Sequence, residues 1–483
     1  MTSAGVSDAV SSPPALSRSD RTVIGVLLVA TFVVILNETI MGVALPVLLT
    51  ELHVTAAVGQ WLTAGFLLTM SVVIPVTGYL IQRVRTRVLY GVAMTLFSAG
   101  TLIAALAPGF EVLLAARVVQ ASGTAIMLPL LMTTVMTLVP PARRGAVMGN
   151  ISIVISVAPA VGPTVSGVVL DVFGWRGMFW VVLPISVAML VMGLRWVSSI
   201  GETSDAPIDV VSVVLSVFGF GGLVYGLSSI GHSGGSSAAT LWVSLAVGVA
   251  GIAAFVLRQV SLQRHERALL DLRTFGFRTF TLASVLMMVM MGLLLGAATV
   301  LPIYTQNILG LDPLATGLLL LPGGLLMGLL SPFVGRLYDR VGPRILLVVG
   351  TIATAASLWF ATTGFSTSTP AVLVLAFHLV LSLGLAFSFT PLFSAGLGAL
   401  PARLYSHGSA IFGTTQQLAA AAGVALLVSV MSARAAGLAA SGEPRVQAEM
   451  GGVHAAMLLA AILAVVAVVG AFLVRGGKAE TPA

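Results

Sequence analysis

A chain of 483 residues that is 58% hydrophobic and only 8% charged, with a mean hydropathy of +1.09, carries more apolar surface than a soluble fold of that size can hide. Its class is therefore a polytopic all-α membrane protein, since in lipid each helix satisfies its own backbone hydrogen bonds. It has no cysteine, which excludes disulfides, thiol chemistry and Cys-ligated metal; its six His have no ligand-like spacing.

Residues 1–20 are rich in Ser, Ala and Pro, lack the features of a signal peptide, and are expected to be a disordered tail. Fourteen apolar segments follow, at 22–49, 58–81, 88–107, 110–139, 146–171, 178–198, 209–231, 238–257, 280–307, 315–337, 344–364, 370–400, 408–433 and 453–474. Loops after even-numbered segments, together with the tails, hold nineteen of the 23 basic residues. By the positive-inside rule both termini are expected in the cytoplasm. This topology, with contact to anionic lipid, explains the net charge of +7 better than nucleic-acid binding does.

An internal repeat organises the chain. Gly78 to Arg87 (GYLIQRVRTR) matches Gly335 to Arg344 (GRLYDRVGPR) at an offset of 257, and Pro75 falls on Pro332. Gly123 falls on Gly384 and Pro140 on Pro401 at an offset of 261. Spans 1–6 thus repeat as spans 9–14. The expected parts are a six-helix bundle over 21–200, two inserted helices with a basic cytoplasmic linker over 201–279, a second bundle over 280–475 and a short tail over 476–483. Parallel duplicated bundles suit a transporter, which places its substrate between them and rocks one against the other. The inserted pair has no repeat counterpart. It reads as a connector lying against the bundles, the alternative being a part of the substrate path.

Two ionisable side chains lie deep inside spans. Glu38 is about 24 Å along its helix from Thr22, at 1.5 Å per residue, which is deep for snorkelling to an interface, the alternative to a functional acid. Its repeat counterpart is Leu294, so packing at that fold position does not demand an acid. Arg117 lies in span 4 with His378 as its counterpart, and Gln120, three residues on, shares its face. A buried pair of Glu38 with Arg117 would couple protonation to conformation. Asp209, at the entry of span 7, is expected within reach of solvent.

These stretches resemble the motifs of major facilitator superfamily drug:proton antiporters of the fourteen-span EmrB/QacA type, on the branch associated with lincomycin and multidrug efflux. The resemblance covers residues 20–475. Leu36 to Pro46 (LNETIMGVALP) is similar to the first-helix motif L-D-x-T-I-V-N-V-A-L-P, with Asn37 at the family's Asp and the acid one position later, about 100° round the helix. Gly78, Arg83 and Arg87, and again Gly335, Asp339, Arg340 and Arg344, resemble the cytoplasmic loop motif G-x-L-A-D-R-x-G-R-R, to which the family assigns a charge latch between the halves. Gln82 replaces the acid in the first copy. Leu114, Arg117 and Gln120 resemble L-x-x-R-x-x-Q-G, whose arginine is linked to proton transfer. Gly149, Gly162, Pro163 and Gly167 resemble the antiporter motif of the fifth helix, with Ala158 and Ser166 standing in for glycine.

The resemblance implies a proton-coupled efflux antiporter for amphipathic small molecules in the bacterial cell membrane, working by alternating access, with Glu38 and Arg117 coupling the proton. Spans 1, 4, 9 and 12 would face the central cavity. Candidates there are Asn37, Gln120, Met288, Met291, Tyr304, Gln306, Asn307, His378, Phe387 and Phe389; methionines and aromatics suit a site for several apolar shapes. Gln416 and Gln417 can instead bond helix to helix. No cofactor or metal is expected, and the partners are protons, a small molecule and the bilayer, with the monomer as working unit. No Walker A run is present, so the ion gradient rather than ATP is the expected energy source. Alternatives are an exporter of an endogenous metabolite or self-made antibiotic and, from another class, a membrane enzyme. The duplication and the lack of a nucleophile–base or metal cluster argue against the enzyme.

Overall fold

The structure is a computed structural model that describes residues 16–59, 61–199, 209–230 and 238–474. The expected tail residues 1–15 and 475–483 and the loop from His232 to Ser237 lie outside the described residues. The first helix, α1 (Arg18–Glu51), starts four residues before its apolar run, because the Ser17 hydroxyl accepts the Asp20 N–H at 3.0 Å and caps it. Residues 18–20 are therefore helix rather than tail.

Next come α2 (Trp61–Arg83), α3 (Thr86–Ala105) and α4 (Phe110–Leu138). The run Arg144–Trp196 is then 53 residues long, about 80 Å at 1.5 Å per residue, against a hydrocarbon layer of about 30 Å. It breaks once, at Gly174, where φ is 65° and ψ −178°. Only glycine takes that conformation without strain, so one residue replaces the expected loop and divides the run into α5 and α6. Past the break, Trp175 Nε1 donates to Glu51 Oε2 at 2.8 Å and Arg176 donates to the Ala107 carbonyl at 2.8 Å, tying α6 to α1 and the α3–α4 turn.

Helix α7 is built from Val210–Ser216, a π-helical turn Val217–Gly221, and Gly222–Ile230. Then follow α8 (Ala238–Leu262), α9 (Arg278–Ile303, extended by a π-helical turn Tyr304–Ile308), α10 (Pro313–Val341) and α11 (Pro343–Gly364). The last are α12 (Ala371–Gly398), α13 (Tyr405–Ala440) and α14 (Arg445–Leu473). Among the described residues, thirteen helical stretches are long and apolar enough to cross a membrane; the one on this run, Val165–Trp196, takes in α6 and only the end of α5.

The repeat is visible in the packing. Helix α3 packs on α4 as α11 packs on α12, α2 on α4 as α10 on α12, α1 on α5 as α9 on α13, and α3 on α6 as α11 on α14. The halves meet through α5 with α10 and α2 with α13. The inserted α7 lies along the second seam, touching both α2 and α13, with Tyr225 stacked on Trp61 at 5.4 Å. At its foot, Arg258 grips Asp209 through two hydrogen bonds of 2.7 Å. Asp209 is thus ion-paired while still partly exposed, and hydrogen bonds from Arg258 and Ser212 outweigh its burial and hold its carboxyl below the usual range. Arg258, counted with the basic loop in sequence, belongs to the last turns of α8.

Candidate functional site

Arg117 is buried to 1% exposure and is held from three sides. Its Nη1 donates to Gln120 Oε1 at 3.1 Å, its Nε to the Leu62 carbonyl of α2 at a long 3.4 Å, and its guanidinium carbon lies 4.1 Å from the Phe66 ring centroid. Gln120 in turn donates to Thr101 Oγ1 at 2.8 Å, and Thr101 to the Phe97 carbonyl at 2.7 Å. A hydrogen-bonded chain therefore runs from α4 into α3. Sequence spacing brought Arg117 and Gln120 together; Thr101, Phe66 and Leu62 carry no motif of their own.

Glu38 is half-buried on α1, next to Asn37, which is 2% exposed and whose Nδ2 has no partner. The expected contact pair of Glu38 with Arg117 is not formed. The three ion pairs among the described residues are Asp209–Arg258, Asp271–Arg273 and Arg445–Glu449. Gln120, the Leu62 carbonyl and Phe66 hold the guanidinium instead.

The C-terminal half repeats this geometry with other chemistry. His378 Nε2 lies 3.0 Å from the Leu320 carbonyl of α10, as Arg117 Nε meets Leu62 of α2. The other candidates of this half differ in exposure. Met288 is 40% exposed, Met291 is partly buried against the core, Phe387 is half-buried and Phe389 is buried. Tyr304 is buried, stacked on Phe365 at 4.7 Å, and donates to the Ser366 carbonyl at 2.8 Å. Gln306 and Asn307 are exposed on the π-helical turn at the far end of α9. Gln417 reaches Met70 of α2 at 3.7 Å, bridging the halves, while Gln416 Nε2 has no partner.

The small residues of the fifth helix point two ways. Gly149 and Gly162 are thirteen positions apart, about 220° round the helix. Gly149 faces the backbone of Ser331 and Pro332 on α10, and Gly162 faces Thr39 on α1. Helix α5 is thereby wedged between its own bundle and the other half. Gly167 faces open space, and the Pro163 side chain lies outside the described residues.

At the arginine-rich end, Asp339 crosses between the halves. Its Oδ1 accepts the Gly145 N–H at 2.8 Å and its Oδ2 the Ala146 N–H at 2.9 Å, so the carboxylate sits on the first turn of α5. A Cβ on Gly335 would run into the Gly145 carbonyl oxygen, so this approach needs glycine. The first copy has the same arrangement without the charge: Gly78 packs on Ser406 and Ala410 of α13, and Gln82 Nε2 donates to the Arg403 carbonyl at 3.0 Å. Arg83 stacks over Tyr79 at 3.6 Å, while Arg87, Arg340 and Arg344 are exposed. Further in, Thr133 bonds Ser409 at 3.2 Å, Thr390 bonds Ser152 at 2.9 Å, and Gly328 meets Val157. All of these contacts lie within thirteen residues, about 20 Å, of the arginine-rich ends of their helices.

Two duplicated bundles, joined at one end and carrying an acid and an arginine deep in one of them, agree with the comparisons. The Major Facilitator Superfamily model matches residues 27–424. The chain belongs to that superfamily of transporters. It is 42% identical over 463 residues to YcnB, an uncharacterized MFS-type transporter of Bacillus subtilis, covering 95% of this chain and 96% of the relative. It is also 42% identical over 461 residues to the lincomycin resistance protein LmrB of Bacillus subtilis, covering 94% of this chain and 95% of that one. In fold it is similar to the human organic anion transporter MFSD10, with a TM-score of 0.64, 14% identity, and 94% of this chain and 100% of that one covered. The proton:xylose symporter XylE gives a TM-score of 0.60 at 16% identity, with 97% and 98% covered.

Proposed function

We propose that this transporter is a proton-coupled exporter of amphipathic small molecules, of the fourteen-span antiporter type, in the bacterial plasma membrane with both termini and the arginine-rich loops in the cytoplasm. The observation that carries the coupling is Glu38. It is a half-buried carboxyl, deep in a span, whose basic neighbour is already held by other partners, so a proton can reach and leave it without a contact ion pair being broken. On this reading the closed arginine-rich end is the cytoplasmic gate, and the form is the outward-facing one. In it a proton from outside neutralises Glu38 and the substrate leaves. The arginine-rich end then opens and Glu38 releases its proton to the cytoplasm as the next substrate binds. Asn37, with an unpartnered amide beside the acid, is the polar group offered to that substrate.

Export rather than uptake is supported by relatives named for lincomycin resistance, and by the multidrug resistance protein B homolog of Mycobacterium tuberculosis, 29% identical over 404 residues. Lincomycin is accordingly the first probe. The purified chain in liposomes, under an imposed pH gradient, should move a member of a compound panel uphill and release protons in exchange. Movement that ignores the gradient, or uptake in the same direction as the proton, would sink the reading.

A further inference from the structure

The segment between α8 and α9, residues 263–277, is short, carries Arg264, Arg267 and Arg273, and in sequence reads as a solvent-facing basic loop. The structure buries much of it. Leu269 is 0% exposed, and Leu270, Asp271, Thr274 and Phe277 are also buried. Gln259, buried on α8, fixes it from above: its Oε1 accepts the N–H groups of Leu269 at 2.8 Å and Leu270 at 3.3 Å, while its Nε2 donates to Ser212 of α7. Asp271 closes on Arg273, and Glu266 turns the chain with φ 55°.

The backbone so held meets both helices of the second seam. His407, buried in the first turn of α13, lies with Nδ1 3.2 Å from the Leu269 carbonyl; the oxygen can only accept, so Nδ1 carries the proton. Arg83, at the end of α2, donates to the Glu266 carbonyl at a long 3.4 Å. His407 is also where α2 and α13 touch, since its Cα lies 3.6 Å from where a Cβ on Gly78 would stand. One linker backbone therefore bonds to α2 in one half and to α13 in the other, beside their contact.

We propose that residues 266–271 are a strap across the arginine-rich gate, with His407 and Arg83 as positioning residues, so that α2 cannot leave α13 until the strap lets go of one of them. The inserted helices are then a working part of the gate, and Gln259 and the Asp209–Arg258 pair anchor the strap to them. This rests on the alternating-access reading above. A contact made only in the closed form biases the equilibrium by its whole differential strength, so weakening it populates the open form.

The test uses the absence of native cysteine. Ser409→Cys puts a thiol of nearly the same size at a position 1% exposed, inside the gate and opposite Thr133. A water-soluble maleimide reaches it from the arginine-rich side only when the gate opens. In vesicles with that side outward, His407→Leu and Leu269→Ala should each speed labelling per molecule by at least about threefold, while His407→Gln, which keeps a donor, stays within about twofold of the parent. Labelling at the parental rate in both weakened variants overturns the proposal, as does a Gln variant that labels as fast as the Leu variant. Reduced protein without faster labelling of what remains means plain packing and overturns it too. If neither parent nor variants label, no gate opens and the proposal falls. The readout needs neither drug nor proton gradient, so failed uphill export with the expected labelling pattern would sink the export reading and leave the strap standing.

Discussion

The two halves of the molecule share a backbone plan and differ in where they keep their charge. The N-terminal half has Glu38 and Arg117 deep in its helices, where the C-terminal half has Leu294 and His378 at the repeat-related positions. At the gate the order reverses. The C-terminal half contributes the charged clasp, Asp339 on the first turn of α5, and the N-terminal half contributes neutral Gln82. Duplication preserved helix packing, which depends on small residues at crossings, and let each half keep only one of the two polar tasks.

The largest test of that division is at Glu38. Glu38→Gln should abolish proton-driven uphill export with protein still in the membrane, whereas Leu294→Gln should leave it running. Equal effects of the two changes on transport in proteoliposomes would erase the distinction.

The gate comes next. Asp339→Ala removes two charge-assisted hydrogen bonds, each worth about 1.5–3 kcal/mol, while Gln82→Ala removes one neutral bond worth about 0.5–1.5 kcal/mol. Since about 1.4 kcal/mol is a factor of ten, the export rate should fall at least about tenfold for the first and by less for the second. Restoring an acid with Gln82→Asp would sharpen the comparison, because the carboxylate could cap the first turn of α13 as Asp339 caps α5. That variant should hold the gate closed longer and turn over more slowly.

Within the bundles, the contrast is between Arg117 and His378. Arg117→Met keeps the side-chain length and leaves the buried Gln120 Oε1 without its donor, at a cost of about 1–3 kcal/mol. His378→Met leaves only a helix carbonyl that has its own backbone donor, so its melting temperature in detergent should drop less. A larger drop for the His378 variant would contradict the geometry.

The smallest effect separates two glycines of one motif. Gly162→Ala would press into Thr39 and cost about 1–3 kcal/mol, whereas Gly167→Ala enters open space and should gain about 0.5–1 kcal/mol of helix stability. Thermal unfolding of the two variants side by side checks the sign of each.

The sequence by itself determined the class, the helices and the duplication. Apolar runs of membrane length have no other way to satisfy their backbone in lipid, and the matches Gly78 to Gly335 and Pro75 to Pro332 are written in the chain. It also exposed Glu38 and Arg117, because an ion in an apolar run is conspicuous in one dimension. What those ions touch was decided only by tertiary structure. Arg117 turns to Gln120, Phe66 and the Leu62 carbonyl rather than to Glu38, and two of those partners come from another helix through contacts without a motif. Span number named Tyr304, Gln306 and Asn307 but not their surroundings, which depend on rotation and depth: the structure stacks Tyr304 on Phe365 and leaves the other two exposed. The burial of Leu269 and Leu270 under the gate was equally illegible. A three-residue apolar run among arginines, Ala268 to Leu270, has no periodicity of its own, and its meaning comes from His407, 138 residues from Leu269 in the chain.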